Sequence, residues 1–111
     1  MTRFKIAFAA SAAALSLFAG QAMAHARLVS ATPAAGATVA APRVITLTFS
    51  ERMVPAFSGF DVVNTAGTVI PVQTRVSADG KTLSGAPARA LPAGAYTVNW
   101  RVASSDGHRM T

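Results

Sequence analysis

The strongest pattern in the chain is an alternation of apolar and polar positions near its end. Between Ala95 and Ala103, the residues Tyr96, Val98, Trp100 and Val102 fall on one face and Thr97, Asn99 and Arg101 on the other, which is the two-residue period of a half-buried strand. Arg43 to Ser50 repeats the pattern, with Ile45, Leu47 and Phe49 opposite Val44, Thr46 and Thr48. Phe60 to Val63, Thr68 to Val76 and Lys81 to Ser84 are shorter candidates. They are separated by Asn64-Thr65-Ala66-Gly67 and by Ala78-Asp79-Gly80, where Asp-Gly suits a tight hairpin turn. Residues 31 to 42, rich in Ala, Pro and Gly, predict an ordered but irregular connection. Short strands, regular turn signals and no helical periodicity predict an all-β fold, a small antiparallel Greek-key barrel or sandwich.

The first 24 residues read differently. Arg3 and Lys5 precede an apolar run from Ile6 to Ala19, and Ala22-Met23-Ala24 supplies a small-x-small cleavage site. These are the parts of a secretory signal peptide, and the run is too short to span a bilayer. The expected organisation is a leader at 1-24 and one domain at 25-111, exported and not membrane-spanning once cleaved. Cleavage after Ala24 makes His25 the first residue. The leader holds 17 of the 57 apolar side chains, so the remainder has an ordinary globular composition.

Composition then removes whole classes of chemistry. There is no Cys, hence no disulfide framework, thiolate zinc site, iron-sulfur cluster or blue-copper thiolate. The net charge of +6 falls to about +4 without the leader, and the Arg and Lys residues are scattered. This describes a solvated surface, and nucleic acid is not expected as a partner. Only Phe49, Phe57, Phe60, Tyr96 and Trp100 are aromatic after residue 24, so aliphatic side chains must close much of the core. The chain stops at Thr111, just after a loop-like stretch. A domain lacking its last strand, with an open sheet edge, is the expectation.

Two His remain after the leader, His25 at the new terminus and His108 in the loop beyond the best strand, with Asp106 two residues before it. An N-terminal His presents an amine and a ring nitrogen to one metal; a second imidazole and a carboxylate complete a tetragonal N,O set that favours Cu(II). Taken singly, His25 also fits an exposed terminus, and Asp106 and His108 an ordinary turn.

Several ordered blocks resemble the CopC family of periplasmic copper-resistance proteins. They are His25-Ala26-Arg27-Leu28-Val29-Ser30 with Thr32-Pro33, Gly36 and Val39; Leu47-Thr48-Phe49-Ser50-Glu51; Leu91 to Val98; and Trp100 to His108. The resemblance implies an immunoglobulin-like or cupredoxin-like barrel. It also implies Cu(II) bound by the amine and ring of His25 with Asp106 and His108, and a CopD-type inner-membrane copper transporter as partner. Glu51 is a candidate hydrogen-bond partner for the ligands. Some family members bind Cu(I) through a Met-rich segment, but here Glu51 to Phe57 holds only Met53, with Met110 the other Met after the leader. No separate Cu(I) site is expected.

The function that follows is copper binding for sequestration, resistance or delivery, without catalysis. Two alternatives stand beside it: an oxygen-activating enzyme resembling the histidine-brace polysaccharide monooxygenases, and a metal-free immunoglobulin-like adhesion module. Asp106 in an in-plane position and the small size of the domain argue against the enzyme.

Overall fold

The structure, a computed structural model, describes residues 4–10, 27–105 and 109–110. Two sheets face each other across one core. The first contains β1 (Phe4–Ala10), β3 (Thr38–Val39), β5 (Gly59–Asn64), β6 (Val69–Ile70), β9 (Gly94–Ala103) and β10 (Arg109–Met110). Its order is β3-β1-β9-β5-β6, with β10 also paired to β9. The second contains β2 (Leu28–Thr32), β4 (Ile45–Phe49), β7 (Val72–Val76) and β8 (Thr82–Pro87), in the order β2-β4-β8-β7. Pairings are antiparallel except for a two-residue parallel contact between β1 and β3. The all-β sandwich expected from the alternation is the fold observed.

The inward rows are those the alternation marked. Tyr96, Val98, Trp100 and Val102 meet Ile45, Leu47, Phe49 and Leu83 in the core, with Phe60 and Val62 beside them. Trp100 packs edge-on against Phe49, ring centroids 4.9 Å apart, a favoured aromatic geometry.

Four departures from the sequence reading have local causes. First, β2 escapes the alternation because its register against β4 shifts between Leu28 and Ser30. This bulge lets Leu28 and Ala31 both pack on the core, a spacing of three that no two-residue pattern reveals. Second, the single strand expected over Thr68 to Val76 is broken at Pro71. β6 pairs with β5 in one sheet and β7 with β8 in the other, because a proline cannot donate to a ladder.

Third, β8 runs past Ser84 through Gly85 and Pro87. A Cβ at Gly85 would stand 2.5 Å from Val72 Cγ1 and 2.9 Å from Phe60 Cζ, so the glycine admits the close packing of neighbours. Fourth, β1 lies inside the segment read as a leader. It pairs along β9 from Phe4 opposite Trp100 to Ala10 opposite Gly94, and buries Ile6 and Phe8 in the core. β1 thus covers one edge of β9.

The turns follow their residues. Asn64 Oδ1 accepts from the N–H groups of Ala66 and Thr68 at 3.0 and 2.9 Å, and Gly67 takes φ +85°, a conformation open to glycine.

Gly85→Ala is expected to destabilise the fold by about 1–3 kcal/mol through overpacking. Gly67→Ala, which meets nothing within 4 Å, costs only the backbone term of roughly 1 kcal/mol. Chemical denaturation of the two variants measures the difference, and the order reverses if Val72 and Phe60 yield freely.

Candidate metal centre

His25, Asp106 and His108 all lie outside the described residues, so the site is built from the segments that flank them. The chain enters at Arg27, whose backbone is tied twice to Ser50. Its N–H donates to Ser50 Oγ at 2.9 Å, and its carbonyl accepts from the Ser50 N–H at 2.9 Å. These bonds extend the β2–β4 ladder, and Leu28 stands opposite Phe49.

The second flank is the end of β9. Ser104 is buried and forms an antiparallel bridge with Met53. The Ser105 N–H donates to the Arg52 carbonyl at 2.9 Å, and the Val54 N–H donates to the Ala103 carbonyl at 2.7 Å. After residues 106–108, Arg109 pairs opposite Ala103 and Met110 opposite Val102.

The two flanks therefore meet on one tripeptide, Ser50-Glu51-Arg52. Arg27 is bonded to its first residue and Ser105 to its last, a span of at most about 7 Å between Cα atoms. His25 is two residues from Arg27, while Asp106 adjoins Ser105 and His108 adjoins Arg109. Glu51 stands between the anchors and is exposed.

A third support comes from the β7–β8 turn. Ser77 Oγ donates to Asp79 Oδ1 at 2.5 Å, the same oxygen accepts from the Lys81 N–H at 3.0 Å, and the Thr82 N–H donates to Ser77 Oγ at 3.1 Å. Gly80, at φ +78°, then presents its carbonyl to the Met53 N–H at 2.8 Å. The hydrogen bond from Ser77, then that from the Lys81 N–H, holds the Asp79 carboxyl below its ordinary value.

Met53 itself is buried among the core side chains, a packing role that suits its flexible thioether. Among the described residues no three His, Cys, Asp or Glu side chains come together. Sequence reasoning singled out Glu51 but missed Ser50, Arg52 and Ser105. Most of their contribution is made by backbone groups, which carry no side-chain signature.

A family model described as the CopC domain matches residues 28–111. The chain belongs to the CopC family. Copper resistance protein C of Pseudomonas syringae pv. tomato is 44% identical over 117 residues, covering 99% of this chain and 90% of the relative. Copper resistance protein C of Escherichia coli is 42% identical over 98 residues, covering 81% and 78% respectively.

Two solved CopC-family structures share the fold. PcoC, a methionine-rich copper resistance protein from Escherichia coli, superposes with a TM-score of 0.70 at 38% identity, over 78% of this chain and 90% of that one. CopC from Methylosinus trichosporium OB3b gives 0.70 at 34%, over 77% and 84%. Among the described residues no helix is long and apolar enough to cross a membrane.

Because the Asp79 carboxyl titrates below its unfolded value, the stability it contributes is present above that value. It is lost as the pH falls through the folded-state pKa. Denaturant midpoints followed from neutral pH into acid should fall less steeply for Asp79→Ala than for the parent. Parallel curves would remove the carboxylate from the support of Met53.

Proposed function

We propose that this chain is an exported copper-binding protein of the periplasm. It takes Cu(II) at the amine and ring of His25 once the 1-24 leader is removed, with Asp106 and His108 completing the set. The observation that supports this most is the double anchoring on Ser50 to Arg52, which ties the chain just after His25 and just before Asp106 to one short segment. An amine, two imidazoles and a carboxylate form a tetragonal N,O set suited to Cu(II), and the names of the relatives support copper as the metal.

Glu51, lying between the anchors, would orient the amine or an imidazole by accepting a hydrogen bond. Copper is cargo in this reading. The protein sequesters it and passes it to a CopD-type inner-membrane transporter, with no catalytic step of its own. Protons compete for the nitrogen ligands, so affinity falls on acidification.

The test starts from protein recovered from the periplasm, with its terminus fixed by intact mass. Cu(II) titration followed by quenching of Trp100 and by EPR should show one tetragonal site per chain. His108→Ala should weaken binding by at least about tenfold, as should one extra residue ahead of His25. Unchanged affinity in the extended protein would remove the terminal amine from the site.

A further inference from the structure

Gly80 is the one buried residue of the turn at 77–81, where Ser77, Ala78, Asp79 and Lys81 are all exposed. What lies over it is Arg52. A Cβ at Gly80 would meet Arg52 Cβ at 3.3 Å, Cγ at 3.4 Å and Nε at 3.5 Å. The aliphatic stem of this exposed arginine therefore lies along the bare Cα of the glycine, as long cationic side chains do when they cover a surface. Gly67, at a similar φ in the β5–β6 turn, has nothing within 4 Å of the same position. The cover belongs to Gly80 and not to turn glycines in general.

The peptide group that follows Arg52 is held at both ends. Its N–H, that of Met53, donates to the Gly80 carbonyl at 2.8 Å, and its C=O, that of Arg52, accepts from the Ser105 N–H at 2.9 Å. A peptide group is planar, so these two bonds cannot turn independently. Tilting the plane at Gly80 swings the acceptor away from Ser105, and bonds in such a chain also polarise one another. The stem of Arg52 leaves the adjoining Cα and rests on the same Gly80, which holds the plane from its flank. Charge adds little here. Of the groups that keep the Asp79 carboxyl below its ordinary value, the Ser77 hydroxyl acts most and the charge of Arg52 least.

We propose that Arg52 is a positioning residue: its stem, lying on Gly80, sets the plane of the Arg52–Met53 peptide and with it the place of Ser105, from which the chain runs to Asp106. The turn at 77–81 thereby acts on the proposed copper site without touching a ligand. The consequence for copper rests on the ligand set proposed above, whereas the hold on Ser105 does not.

The experiment uses protein recovered from the periplasm, first without copper. Arg52→Ala should speed hydrogen exchange at the Met53 and Ser105 amides by at least about tenfold, while the Asn64 to Thr68 turn keeps its parent rates. Arg52→Met, which keeps the stem and removes the charge, should stay within about threefold of the parent at both amides. With Cu(II) added, Arg52→Ala should release the metal at least about fivefold faster than the parent, and Arg52→Met should not. Unchanged exchange at Ser105 in Arg52→Ala overturns the proposal. Equal acceleration in Arg52→Met overturns the role of the stem and assigns the effect to the charge. Faster exchange with unchanged copper release overturns the positioning role. A parent that binds no Cu(II) overturns the ligand set and the copper consequence together, while exchange at Ser105 still decides the hold.

Discussion

The edge-on contact between Phe49 and Trp100 clamps the end of β4 to the later part of β9, and the candidate metal centre depends on that clamp. Both residues are buried. Just beyond Phe49 the chain gives Ser50 to Arg52, and four residues beyond Trp100 it gives Ser104. Holding the two aromatics together therefore fixes the two segments on which the termini of the proposed ligand set are hung. The hydrogen bonds from Arg27 to Ser50 and from Ser105 to Arg52 then only have to close short distances. Such bonds each contribute modestly to stability, but their geometry is narrow.

The same clamp steadies the segments that flank the proposed ligands. Core burial sets the ends of β4 and β9, and the Asp79 turn adds a third fixed point through Gly80 and Met53. The one Met of the Glu51 to Phe57 stretch, Met53, has a packing role. Its side chain lies in the core, while its backbone joins Gly80 and Ser104.

Much of the fold was legible in the sequence, because inward rows such as Tyr96-Val98-Trp100-Val102 need only alternation to be seen. The bulge in β2, the sheet switch at Pro71 and the tight fit at Gly85 were not legible, since each depends on a neighbour distant in sequence. β1 escaped for another reason. Its alternation of Ile6 and Phe8 with Lys5 and Ala7 is embedded in an apolar run that reads first as a leader, and the two roles share one composition. Of the proposed ligands, His25 and His108 stood out as the two His of the chain, with Asp106 beside the second. The tripeptide that draws their segments together acts mainly through backbone groups and had no signal to offer.

The proposed ligand set puts the metal where the segments of Arg27, Glu51 and Ser105 meet. The most direct test is paramagnetic broadening in the amide spectrum of the processed protein on addition of substoichiometric Cu(II). Resonances of Arg27, Glu51, Arg52 and Ser105 should vanish first, while those of Asn64 to Thr68, at the opposite end of β5, stay sharp. Early broadening of the Asn64 to Thr68 turn, or uniform broadening along the chain, would contradict the account.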